Sequence, residues 1–237
     1  MRRGLSYSGI SEREWTQVMQ CSFPAILLFL LCSGDVRPDN AADNIPAQRI
    51  VALSKKILNV FEGLEDFSCD VEIQYYRMAK EDKKYCFTLF RETPSVTRIR
   101  FSRPYPGLTA TYKRGDTEVT IQPFLFIPFM KFKLSLYHSL LRTPSGQRMD
   151  QGSIEYLSRF FYNNINLIQQ HESSFSEETD RVAFSFWAAD YTGGKELNRY
   201  YVIVSKENWF PLRIERYNQN NVAIEVIIFK EFVVHAP

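Results

Sequence analysis

The side chains able to do chemistry in this 237-residue chain are few, and their spacing suits none of the common catalytic arrangements. Three histidines, His138, His171 and His235, lie far apart, with no interval that would close a zinc site. No glycine-flanked serine marks a nucleophile elbow, and no glycine-rich loop marks a phosphate cradle. Asp70 and Glu72 are close, but they alternate with Cys69, Val71 and Ile73, which is the wet face of a strand rather than an acid and base pair. The expectation is a protein that is not an enzyme and uses neither cofactor nor metal.

The reactive group left to consider is a thiol near the start. Arg2, Arg3 and Arg13 precede an apolar core over residues 23–31, and the small residues Cys32, Ser33 and Gly34 follow, the layout of an export signal. Nine residues are too few to span a bilayer as a helix. Cys32 closes that core as an acylated lipoprotein cysteine would, although the bulky Leu30 and Leu31 stand where such sites carry small residues. Initiation at Met19 is an alternative start. The expected organisation is a signal peptide over residues 1–34, a polar linker over 35–45 and one domain over 46–237. The expected location is the periplasm after export, with membrane anchoring if Cys32 is acylated. Cys21 would leave with the signal, while Cys69 and Cys86 fall on opposite strand parities, so no disulfide is expected between them.

The elements that would position these groups are mostly strands. Phe67, Cys69, Val71, Ile73 and Tyr75 alternate with Ser68, Asp70, Glu72 and Gln74, so one face is apolar. After a charged turn at residues 80–84 the alternation resumes with Tyr85, Phe87 and Leu89. It breaks at Pro94 and Ser95, then continues with Thr97, Ile99 and Phe101 against Arg98 and Arg100. Leu108, Ala110 and Tyr112 lead to the turn pair Gly115 and Asp116, and Val119 and Ile121 return to Pro123. The connections are too short for crossover helices, so the strands form an antiparallel meander.

Further strands are read at Val182, Phe184 and Phe186, at residues 200–204, at Leu212, Ile214 and Arg216, and at residues 222–232. Their turns are marked by Gly193-Gly194, Asn208 and residues 218–221. Residues 124–141 open with a very apolar stretch and read as a strand followed by a loop. Two helices join the sheet: residues 46–64 with Asn44 as N-cap, and a second capped by Ser153 with Ile154, Leu157, Phe161 and Ile165 on one side. Nine to eleven strands curl toward a barrel, and Phe, Tyr and Trp at 15% of the chain supply bulky filling for the concave side. Formal net charge is +2, and loss of the first 34 residues would leave +1, since that stretch holds Arg2, Arg3 and Arg13 against Glu12 and Glu14. Such a balance excludes the footprint of a nucleic-acid binder.

The order of a helix, a strand over 67–76, the run Pro94-Ser95-Val96-Thr97-Arg98-Ile99, a turn at Gly115-Asp116 and a close at Gln122-Pro123 resembles the periplasmic lipoprotein carriers of the LolA type. The run Phe210-Pro211-Leu212-Arg213-Ile214, followed by Asn220-Asn221 and a last strand, resembles that family's closing hairpin. The resemblance spans about residues 46–232. It implies an α+β fold: a strongly curved antiparallel sheet, an incomplete β-barrel, with helices covering the concave side. It also implies an apolar cavity that receives acyl chains of lipoproteins or phospholipid, an inner-membrane donor and an outer-membrane acceptor as partners, and delivery toward the outer membrane.

With that fold, strand parity selects Val71, Ile73, Phe87, Leu89, Ile99, Phe101, Tyr112, Phe184, Phe186 and Ile214 as cavity-lining residues. An arginine of the family bonds an early strand to the covering helical segment and helps hold the cavity shut; Arg91 and Arg98 are the two counterparts. The apolar stretch over residues 124–130 departs from the family pattern and reads as a lid, a docking patch or buried core. Two alternatives stand beside the carrier: a membrane-anchored lipoprotein acceptor, which needs Cys32 acylated, and a lipid-sensing or protein-binding regulatory module of the cell envelope.

Overall fold

The computed structural model describes residues 45–235, except 79, 94, 125–126, 128, 152–153 and 190–195. The expected signal peptide, Cys32, the N-cap Asn44, Pro94, Ser153 and the Gly193-Gly194 turn lie outside the described residues.

Helix α1, Ile45–Gly63, buries Ala47, Ile50, Leu53, Ser54, Ile57 and Phe61, a three-and-four spacing that puts one stripe against the sheet. The hydroxyl of Ser54 donates to the Ile50 carbonyl at 2.8 Å, which satisfies the one polar group in that stripe. Gly63 ends the helix, as its position in the sequence suggests. The segment expected as one helix is two: α2, Ile154–Asn163, and α3, Ile165–Gln170. Asn164 breaks them apart. Its side-chain amide donates to the Phe160 carbonyl at 2.8 Å and its side-chain oxygen accepts from Ala189 N at 3.2 Å, so it stitches the helix pair to a strand. The described buried stripe runs through Phe160, Asn164 and Ile168.

Eleven strands form one antiparallel sheet: β1 Phe67–Arg77, β2 Lys80–Thr93, β3 Val96–Arg103, β4 Thr109–Lys113, β5 Glu118–Gln122, β6 Phe132–Ser135, β7 Ser174–Glu177, β8 Arg181–Ala189, β9 Leu197–Ser205, β10 Pro211–Tyr217 and β11 Ala223–Val234. Their order is β6-β5-β4-β3-β2-β1-β11-β10-β9-β8-β7. Two meanders are therefore fused where β1 pairs with β11, Val71 facing Phe229 and Ile73 facing Ile227. The sheet is not closed, and β6 and β7 are its edges. A right-handed twist accumulated over so many strands curls it, and the helices lie on the concave side. The α+β fold expected from the sequence is thus the fold observed.

Strand β1 shows the alternation in full: Phe67, Cys69, Val71, Ile73 and Tyr75 are all buried, and the residues between them are half-buried. Cys69 and Cys86 are free thiols on opposite faces. Burial, and then the charge of Asp70, push the Cys69 thiol up to about 12, so it behaves as a core residue rather than a nucleophile. Leu212 departs from the expected alternation, because the β9–β10 register shifts between Pro211 and Arg213 and leaves Leu212 exposed.

Two apolar clusters occupy the concave face. The larger packs α1, α2 and α3 on β1 and β8–β11, with Phe61 against Phe210 at 5.4 Å between ring centroids and Phe186 stacked on Tyr200 at 5.6 Å. The smaller joins Ala110, Val119 and Ile121 to Leu136 and Met149. Ile99 touches both.

Candidate functional site

Between the two clusters lies the inner face of β2–β4. Pairing places Leu89 opposite Ile99 and Phe87 opposite Phe101, and Ile99 in turn opposite Ala110. Leu89 and Ala110 are buried and form a floor, whereas Tyr85, Phe87, Ile99, Phe101, Leu108 and Tyr112 are half-buried. Phe87 and Phe101 rings lie 5.5 Å apart, and Tyr105 meets Phe101 edge-on at 6.4 Å, so the row runs out to the connector at residues 104–108, exposed over 104–106. Burial pushes the Tyr85 phenol above its ordinary value, so it stays neutral. An inward-facing aromatic row left half-open is rare in a packed interior. It offers dispersion contacts and water exclusion, with the phenols of Tyr85 and Tyr112 as its polar groups. Among the described residues no cluster of three His, Cys, Asp or Glu could bind a metal ion.

The row has a cation near each end. On β2 the inward positions run Lys83, Tyr85, Phe87, Leu89 and Arg91. Lys83 is exposed, whereas Arg91 is buried and its Nη1 donates to the Phe61 carbonyl at 2.9 Å. Phe61 sits in the last turn of α1, where carbonyls lack helical partners, so the guanidinium caps that end with a charge of the favourable sign. Arg98 takes the other face. It pairs opposite Phe90, forms an ion pair with Glu92 and lies over the Phe90 ring at 4.9 Å. Of the two arginines singled out by resemblance, only Arg91 meets the helix among the described contacts.

The lining residues chosen by parity divide the same way. Phe87, Ile99, Phe101 and Tyr112 are in the open row. Val71, Ile73, Leu89, Phe184, Phe186 and Ile214 share the concave face but are buried in the larger cluster, Phe184 and Phe186 at 0% exposure. The reason is tertiary: α1, α2 and α3 already fill the space above β8–β11 and β1.

Sequence reasoning missed the polar centre at one end of the concave face. Arg216 and Glu225 pair across β10 and β11, with 3.4 Å between Nη2 and the carboxylate, and both are almost fully buried. Tyr75 stands opposite Glu225 on β1, and burial, then the Glu225 charge, push its phenol well up. The signal was present: Arg216 shares parity with Ile214, so a charge had to point inward. The cover over β4–β6 was missed as well, since Leu136 comes from a turn and Leu141 and Met149 from two single-turn 3-10 helices, Ser139–Leu141 and Met149–Gln151.

Fold and site define an open antiparallel barrel with helices on its concave side and a half-open apolar inner row. Solved structures similar to this chain include a LolA superfamily protein from Nitrosomonas europaea, at 11% identity over 81% of this chain and 95% of that one, with a TM-score of 0.35. They include a DUF1329 family protein from Desulfovibrio piger, at 11% identity over 81% and 94% with a TM-score of 0.42. Lipoprotein LppX of Mycobacterium tuberculosis is similar at 10% identity over 80% and 98%, with a TM-score of 0.43. The likeness to LolA superfamily proteins is structural. No family model matches the sequence, and no curated protein matches it.

Proposed function

We propose that this chain is an exported, non-catalytic lipid-binding protein of the bacterial envelope that takes an acyl chain along the inner face of β2–β4 and carries it between membranes. The observation that carries the reading is the half-open row of Tyr85, Phe87, Ile99, Phe101, Leu108 and Tyr112, apolar side chains that face inward and are covered in part by the two clusters. Each methylene buried there gains about 0.8 kcal/mol, so a chain of several carbons binds firmly with no specific polar contact. Release then needs a competing apolar acceptor or a change of shape. The signal-like N-terminus supports a periplasmic location, and the acyl chains of lipoproteins or phospholipid are the cargo. Delivery toward the outer membrane is the finer part of the proposal.

Native mass spectrometry of the mature protein, purified from a bacterial periplasm without detergent, tests this. The expected result is a protein with a co-purifying acyl lipid that is lost on delipidation and regained on incubation. Replacing Phe87→Ser and Phe101→Ser together should weaken uptake of a monomeric fluorescent fatty acid by about tenfold or more, since both lose apolar area. A lipid-free mass that takes up no added lipid would overturn the reading.

A further inference from the structure

The connectors that leave the sheet at the end of this row have a composition of their own. Residues 104–108 join β3 to β4, and residues 123–131 join β5 to β6; pairing of Arg100 with Thr109 and Thr109 with Gln122 puts both at the same end. The charged residues of these connectors and of the strand ends beside them are Lys131, Arg100 and Arg103 on β3 and Lys133 on β6, with no carboxylate over residues 100–108 or 122–133. Interleaved with these cations are apolar side chains in water: Phe129 is 86% exposed, Tyr105 55%, Phe132 45%, Phe124 44% and Met130 43%. The longer connector is built by its own turns, with Ile127 N donating to Phe124 O at 3.3 Å, Met130 N to Ile127 O at 3.2 Å and Lys131 N to Phe129 O at 3.0 Å. Backbone groups are thus used locally while Phe124, Phe129 and Met130 project outward. An exposed apolar patch of this kind marks a surface that is covered by something in use.

From this we infer that the described residues of the two connectors and the strand ends beside them are a docking face for an anionic lipid bilayer. Aromatic side chains lodge at the boundary between headgroups and acyl chains, and the lysines and arginines beside them meet the negative headgroups. Charge decides the occupant. A second copy of this chain would bring the same four cations against themselves, whereas an anionic membrane neutralises them. Lys133 is 3.0 Å from Glu118 across the β5–β6 pair, and both side chains are exposed, so its ammonium can turn toward a headgroup. The face also leads inward: Tyr105 contacts Phe101, and Phe101 contacts Phe87, giving a continuous apolar path from the docked surface to the inner row. The inference deepens the lipid-binding reading, on which it rests only for what travels that path.

The test uses the full chain with vesicles of phosphatidylcholine alone or mixed with phosphatidylglycerol. Amine acetylation, read by mass spectrometry at each lysine, reports the docking face locally, whatever other segment touches the membrane. On the anionic vesicles, acetylation of Lys131 and Lys133 should slow by about fivefold or more, and that of the exposed Lys55 on α1 should not change. The protection should fade on phosphatidylcholine alone and at high salt. The double variant Phe129→Glu, Met130→Glu should abolish it, yet still take up a monomeric fluorescent fatty acid. Unchanged acetylation of Lys131 and Lys133 on the anionic vesicles would overturn the docking face. Protection that appears without vesicles as protein concentration rises would replace the bilayer by a second copy. Protection without any acyl uptake would leave docking in place and remove the lipid-binding reading instead.

Discussion

The two halves of the sheet were built from the same alternating pattern and met different fates. Over β1 and β8–β11 the concave side is sealed by α1–α3, and Phe184, Phe186 and Tyr200 are at most 1% exposed. Over β2–β4 equally large side chains, Phe87, Phe101 and Tyr112, remain half-buried; among the described residues Phe87 meets the edge of the larger cluster and Tyr112 the smaller one, with Leu136 and Met149. The difference teaches that parity sets the face of a side chain, whereas the presence of a second layer decides whether that face is core or surface. A stable half can then position an unfilled one, which is what a reversible apolar site requires.

The sharpest way to break this contrast is to truncate one ring on each side. Phe184→Ala removes a fully buried ring and should cost about 3–5 kcal/mol. Phe101→Ala removes a half-buried one, and should cost about 1 kcal/mol while weakening acyl uptake. Urea midpoints of the two variants against the parent chain measure the difference. Equal losses would mean that the β2–β4 face is ordinary core.

The arginines sharpen the boundary between the halves. Arg91 reaches from β2 to the end of α1, so Arg91→Met leaves the Phe61 carbonyl without its charged donor, a loss of about 1.5–3 kcal/mol. Amide exchange over residues 61–64 should rise with it. Arg98→Met removes an ion pair and a ring contact on the outer face, worth about 0.2–1 kcal/mol, and should leave that exchange unchanged. If exchange near Phe61 responds equally to both, the helix is not tied to the sheet through Arg91.

How far the sequence discloses this follows from the same logic. The β1 alternation, the α1 stripe and the meander order are local patterns and agree with the structure. The charged residues 80–84, expected as a turn, are instead the start of β2, since pairing of Arg77 with Lys80 brings the hairpin turn forward to the link between those two residues. The choice between Arg91 and Arg98 was also within reach, since Arg91 is two residues from Leu89 and Arg98 is one from Ile99, which puts them on opposite faces. What lay beyond reach were features set by contact between distant segments. Strand β7 offers only Phe175 as an apolar signal, the Asn164 break depends on the Ala189 backbone, and the Arg216–Glu225 pair joins two strands whose register no local pattern fixes. For the site, the open row and the sealed core carry the same alternation, so only the placement of the helices separates Phe101 from Phe184.

The smallest effect is expected on the outer side of the seam between the halves. Glu72 of β1 receives Lys84 of β2 at 2.7 Å and Lys230 of β11 at 3.3 Å, and Gln74 donates to it at 2.7 Å. These contacts, the Lys84 bond first, lower its pKa from the ordinary 4.5 to about 2. A carboxylate depressed on folding binds fewer protons folded than unfolded. Its stabilisation is therefore complete above about pH 4.5 and fades as pH falls through about 2. Glu72→Gln should lower the melting temperature by at most about 4 °C at pH 6, because such pairs contribute little near water. The gap between variant and parent should then close as the pH is lowered toward 2. A gap that persists undiminished at low pH would mean that Glu72 acts through packing rather than charge, and that the two halves are joined by the β1 ladder alone.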